Sequence, residues 1–245
     1  MNLVNRFTFL GKPGALFEAI TPEIAWLNSF RYDDFLRGGP VQDEKLHFRG
    51  NARFRGGWSA GAQLLLERFS YDRDLYANYV YIAPAPSGVD TVAYRGTPNL
   101  VNVDWVVSTT SPEFKRFSFN SFLLLGVDEN FPEWSSAKVG IANLGLNVRP
   151  TDQLRISGTW NYEYYNRRTD GTRVLTRNVP RVRVEYQVTR QVFVRIIGEV
   201  ARLQQDSLRD DSRTNLPVYF RGSNGALTRA VAFDRLRGRL DFLFS

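Results

Sequence analysis

Arginine recurs at every second position along several stretches of this chain. Arg49, Arg53 and Arg55, Arg155, Arg181 and Arg183, Arg195, and Arg235, Arg237 and Arg239 share one parity with Glu67, Glu163, Glu185, Glu199 and Asp241. Residues two apart on an extended strand project from the same face, so this spacing gathers guanidinium and carboxylate groups onto one surface. Between neighbouring strands, opposite charges on that surface attract and like charges repel. Two readings follow. One is an electropositive pore lining that concentrates anionic solutes. The other, favoured here, is a polar lumen filled by Arg–carboxylate ladders and water.

Other reactive groups are sparse. His47 is the one histidine and cysteine is absent, which argues against a transition-metal site. As a general base His47 needs a nucleophile and an orienting carboxylate nearby, and no spacing places them. The loop Asp206–Asp211 offers oxygen ligands for Ca²⁺ but lacks the ordered spacing and final Glu of an EF-hand, and reads as a solvated external loop. Loop 72–98 is preceded by Tyr71 and carries Tyr76, Tyr79 and Tyr81 before a Pro84–Gly88 break. It is aromatic enough to fold inward or hold a glycan, and an extended hairpin has the same composition. Gly38-Gly39 and Gly56-Gly57 read as turns rather than phosphate cradles. No carboxylate pair stands out for glycoside hydrolysis. The expectation is a chain with no enzymatic activity, no cofactor and no metal.

The strands that present these residues are marked by the opposite parity. In 46–54, 154–164, 182–188 and 236–244 all 20 even positions are uncharged, whereas 12 of the 20 odd positions in 47–55, 153–163, 181–187 and 235–243 carry charge. One face wants hydrocarbon and the other wants water and counter-charge. That is the pattern of a transmembrane β-barrel strand. The bulk numbers agree: 245 residues suffice for one large all-β domain, mean hydropathy is −0.32, and no apolar run nears the roughly 20 residues of a membrane helix. The net charge of +7 is almost wholly arginine. It is interleaved with apolar residues rather than pooled, which disfavours nucleic acid as a partner.

Alternation and turn residues divide the chain into about eleven strands, near 3–10, 16–31, 44–55, 58–71, 99–109, 115–126, 137–149, 152–165, 179–188, 191–202 and 233–244. Tight turns at Gly56-Gly57, Thr110–Glu113, Arg149–Thr151 and Thr189-Arg190 alternate with long linkers at about 32–43, 72–98, 127–136, 166–178 and 203–232. Bacterial outer-membrane barrels have short periplasmic turns and long external loops. This orientation puts Phe54, Trp58, Tyr186, Phe242 and Phe244 at the periplasmic end of the apolar face, with Trp160, Tyr162 and Tyr164 further out, as a lipid-facing aromatic girdle.

The expected fold is therefore an all-β, antiparallel up-and-down transmembrane barrel of about 11–12 strands, forming a single domain over 1–245. A closed bacterial barrel has an even strand number, and eleven strands with one end outside suggest a fragment. Met1–Arg6 shows no signal-peptide pattern, which also suits an internal piece of a longer outer-membrane protein.

The run from Thr176 to Arg195, Asp206–Asp211 and the closing Arg237–Ser245 resemble an uncharacterised Gram-negative family. It is the large outer-membrane barrel domain that follows a carbohydrate-binding family-nine-like module. The likeness covers mainly 150–245. It implies further strands beyond the last one here, and it carries no catalytic residues. The expected partners are outer-membrane lipid, the barrel-assembly machinery and a carbohydrate or other small solute. The expected role is a passive channel or transport-associated barrel. The rivals are a soluble all-β carbohydrate-binding module and a barrel-embedded hydrolase.

Overall fold

The computed structural model describes residues 2–244. Met1 and Ser245, where the signal-peptide reading starts and the closing run ends, lie outside the described residues.

The strands in chain order are β1 (Asn2–Arg6), β2 (Phe9–Leu10), β3 (Phe17–Ser29), β4 (Asp43–Phe54), β5 (Ser59–Ser70), β6 (Tyr79–Ala85), β7 (Gly88–Ala93) and β8 (Asn99–Thr110). They continue as β9 (Phe117–Asn130), β10 (Ser135–Val148), β11 (Leu154–Arg167), β12 (Arg173–Gln187), β13 (Phe193–Gln205), β14 (Val218–Arg221), β15 (Leu227–Arg229) and β16 (Phe233–Phe244). Twelve of them form one antiparallel up-and-down sheet, in the order β1-β3-β4-β5-β8-β9-β10-β11-β12-β13-β16 with β2 also beside β3. Among the described residues β1 and β16 do not pair, so the sheet has two open edges.

The expected strands are present, the one expected at 3–10 split into β1 and β2, but two expected long linkers are not. The β9–β10 connection is only Phe131–Trp134 and the β11–β12 connection only Arg168–Thr172. Polar residues such as Asp128, Glu129, Asn130 and Arg173 look like loop in the sequence and are strand in the structure. Their backbone groups are taken up by the ladder, and several of their side chains find polar partners inside.

Two other linkers carry structure rather than open loop. Segments 71–98 and 206–232 supply β6, β7, β14 and β15, which assemble a second, four-stranded sheet in the order β15-β14-β6-β7. It caps the loop end of the main sheet over a core of Tyr71, Tyr76, Tyr94, Leu100, Trp134, Val174, Leu208, Val218 and Ala230. Trp134 stacks on Tyr76 with ring centroids 4.9 Å apart. Gly96, at φ +53°, lets the chain pass beside it, since a Cβ there would sit 2.5 Å from the Trp134 carbonyl oxygen.

Registers carry the sequence alternation around the sheet. Ile24, Phe48, Leu64, Trp105, Leu125, Gly140 and Tyr164 are successive cross-strand partners on one face. Gly140 leaves room that the Tyr164 ring fills: a Cβ would lie 2.2 Å from the ring. On the other face Glu185 stands opposite both Arg155 and Arg195.

Burial is inverted relative to a water-soluble domain. Val101, Trp105, Leu240 and Phe242 are 72%, 60%, 61% and 68% exposed, whereas Glu23, Glu67 and Asp104 are 4%, 4% and 0% exposed. Over β3–β9 the main sheet buries carboxylates on its polar face and leaves its apolar face bare, while along β16 both faces are open.

Candidate functional site: the polar face

Three groups of side chains occupy the polar face. The first lies across β1, β3, β4 and β5. Glu23 accepts from Arg6 Nε at 2.6 Å and from Arg49 Nη1 at 2.8 Å, and Arg49 Nε donates to Gln63 Oε1 at 2.6 Å. His47 Nδ1 lies 3.1 Å from Arg49 Nη2. That neighbour is a cation rather than the orienting carboxylate of a general base, and among the described residues no nucleophile is placed on this ring.

The second is arginine-rich and spans β11–β16. Glu185 is shared by Arg195, at 2.6 Å, and Arg183. Arg177 approaches Glu163 at 3.7 Å, Arg181 approaches Glu199 at 3.9 Å, and Arg239 pairs with Asp241 at 2.8 Å. Arg235 rests over the Phe233 ring at 4.6 Å, a cation–π contact. Toward the turn end Arg155, Arg195, Lys115 and Arg149 line a groove of about 640 Å³ together with Glu185 and Asp152.

The third was not singled out by sequence reasoning. Glu67 on β5, Asp104 on β8 and Asp128 on β9 bring carboxylate oxygens within 4.8 Å of one another. Lys45 Nζ sits 2.7 Å from Glu67 Oε1 and 3.1 Å from Asp43. Asn102 Nδ2 donates to Glu67, Asp128 and Glu129 at 3.3, 3.5 and 3.1 Å. These acids lie far apart in the sequence, so only strand pairing reveals them.

The residues expected on the charged face therefore fall as follows. Arg49, Arg53, Arg155, Glu163, Arg181, Arg183, Glu185, Arg195, Glu199, Arg235, Arg237, Arg239 and Asp241 share the face opposite the apolar row. Arg55 lies in the turn beyond β4 and donates to the carbonyl oxygens of Ala15 and Lys12 at 2.8 and 3.2 Å. Among the expected girdle residues, Phe54 packs on Phe17 at 4.9 Å and Trp58 meets Phe119 at 5.4 Å near the turn end. Trp160 stacks on Tyr162 at 5.5 Å and donates to Asn178 at 2.7 Å, and Tyr162 touches Tyr164. Tyr186, Phe242 and Phe244 are exposed.

The cap has its own electrostatics. Asp211, from the run Asp206–Asp211 expected as a solvated loop, is buried along with Asp210, and Asp210 binds Thr214 Oγ1 at 2.8 Å. Glu133 is wholly buried, which pushes its carboxyl up against the opposing pull of Arg167. Asp170 is held well below the usual carboxylate range by hydrogen bonds from Arg209 and Thr172. Burial raises the Tyr71, Tyr94 and Tyr76 hydroxyls.

No known family model matches the chain, and no curated protein matches it. Two solved structures do. One is OmpT, folded in vitro, an outer membrane protein of Vibrio cholerae, with a TM-score of 0.47 at 9% identity over 98% of this chain and 64% of that one. The other is the same protein in its trimer form, with a TM-score of 0.45 at 10% identity over the same shares. The chain thus spans 64% of the length of the structures it matches. The expectation of a chain with no enzymatic activity is withdrawn. The strands bring three carboxylates together in one cluster, a grouping which that expectation did not include.

Proposed function

We propose that the chain is a membrane-spanning part of a bacterial outer-membrane β-barrel whose arginine-rich interior admits small anionic solutes. The carrying observation is the inverted burial: large apolar side chains bare on one face, and carboxylates such as Glu23, Glu67 and Asp104 buried on the other. Lipid satisfies the first face and enclosed water the second. A soluble binding module needs a second sheet over the apolar face, and among the described residues the capping sheet packs at the loop end only.

On this reading the turn end faces the periplasm, where Trp58, Phe54 and Tyr186 meet the headgroups, and the cap faces outward. The open edges of β1 and β16 are where the wall is completed. Outer-membrane lipid and the barrel-assembly machinery are the partners of folding. The groove lined by Lys115, Arg149, Arg155 and Arg195 is the point where an anionic solute is held. Planar-bilayer recordings of the refolded protein test this. A reversal potential favouring chloride is expected, and it should move toward neutral in Arg155→Gln/Arg195→Gln. Cation preference, or folding without detergent or lipid, overturns it.

A further inference from the structure

We propose that Glu67, Asp104 and Asp128 hold one Ca²⁺ ion on the enclosed face beneath the cap, with the Asn102 carbonyl oxygen as a neutral fourth ligand. Three carboxylates do not make a site by themselves. What points to a ligand is Asp104, which is 0% exposed, with neither carboxylate oxygen accepting a hydrogen bond. The cluster's other contacts leave it in that state: Lys45 is engaged with Glu67 and Asp43, and the Asn102 amide donates to Glu67, Asp128 and Glu129. A buried carboxylate left bare is costly unless it meets a cation or takes up a proton, and three carboxylates converging on one space favour a cation.

The fold also makes room for that carboxylate. Gly126, beside Asp104 on β9, has no side chain where a Cβ would lie 2.1 Å from Asp104 Oδ1. The Asn102 Oδ1 oxygen is likewise buried without a partner. Turning the amide about its last torsion exchanges its donor, now facing three carboxylates, for an oxygen facing the same space. That orientation is repulsive without a cation and favourable with one.

The character of the site selects the ion. Mg²⁺ demands near-ideal octahedral geometry and gives up its water reluctantly, whereas Ca²⁺ accepts irregular sets of protein oxygens. The three carboxylate oxygens lie within 4.8 Å of one another, close enough for one such ion to reach all three. Oxygen-only donors suit a hard cation and offer nothing to a thiophilic metal.

The test is calorimetric titration of CaCl₂, and separately MgCl₂, into the full chain refolded in detergent after chelator treatment. One saturable Ca²⁺ site is expected, weakened at least tenfold in Asp104→Asn and unchanged in Glu163→Gln, which lies on the same face outside the cluster. Asp128→Asn, at a less buried position, should show the same loss, with β-sheet circular dichroism confirming that each variant folds. No Ca²⁺ binding, binding indifferent to both cluster variants, or Mg²⁺ bound as tightly as Ca²⁺ overturns the proposal. Because the readout is binding rather than conductance, it stands or falls separately from the channel reading.

Discussion

Arg167 clasps Glu133 with three hydrogen bonds, from Nε at 3.0 and 3.1 Å and from Nη2 at 2.6 Å, although 34 residues separate them. Both are buried, and the pair is tied outward on all sides. Arg167 also donates to the carbonyl oxygens of Arg173 and Ser207 at 2.8 and 2.9 Å, and Glu133 accepts from the Arg209 amide at 3.0 Å. One ion pair thus joins the β9–β10 turn, the β11–β12 turn and the segment that builds half of the cap.

Removing one partner strands the other. Arg167→Met should lower stability by about 3–5 kcal/mol, because the Glu133 charge is left buried and uncompensated. Replacing both, as Arg167→Met/Glu133→Leu, should recover a good part of that loss. Urea unfolding followed by tryptophan fluorescence checks this, since Trp134 lies in the cap core. A single variant as stable as the parent contradicts the assignment.

Acid should loosen the cap through Asp170. Arg209 Nη2 at 2.5 Å, the Thr172 amide at 3.0 Å and Thr172 Oγ1 at 2.7 Å all favour its charged form, so its folded value lies below its ordinary 3.8. For a carboxyl lowered on folding, the stabilisation is present above the unfolded value and is lost as pH falls through the folded one. Protease cleavage within 206–232 should therefore rise as pH falls below about 4. In Asp170→Asn that part of the pH response should vanish, with faster cleavage already at pH 7. A parent and variant with the same acid profile count against this role.

Gly126 and Gly50 should respond oppositely to the same change. At Gly126 an added Cβ meets Asp104 Oδ1 at 2.1 Å and the Val103 carbonyl oxygen at 2.3 Å, so backbone must move, costing about 1–3 kcal/mol. At Gly50 nothing lies within 4 Å of the added carbon, and Gly50→Ala should be neutral or slightly stabilising. Thermal unfolding of the two variants decides it. Equal melting temperatures would contradict the close approach of β8 to β9 at Gly126.

Leu240 tests the apolar face directly. It stands mid-strand on β16, opposite Gly198, and is 61% exposed. If that face meets hydrocarbon, Leu240→Arg should destabilise the protein folded in liposomes by about 2–4 kcal/mol. Leu240→Ala should cost less, and Arg239→Leu on the opposite face should not share the dependence on lipid. An arginine tolerated at 240 in lipid vesicles removes the membrane assignment.

Alternation along the chain was sufficient to place the main-sheet strands and their two faces, though not their full lengths or the four strands of the cap. Strict apolar periodicity in 46–54, 154–164, 182–188 and 236–244 appears as β4, β11, β12 and β16, because a period of two is a property of the extended backbone itself. The glycine and proline turns at one end were legible for the same local reason. Tertiary structure decided what depends on residues distant in sequence. β14 pairs with β6 across more than a hundred residues to turn two expected loops into a cap. Asp128–Asn130 are strand because neighbours accept their polar groups. Glu67, Asp104 and Asp128 become one cluster only when β5, β8 and β9 pair in register. Local periodicity sets which way a side chain points. Which side chains it meets is set by register between strands, and that is a property of the assembled sheet.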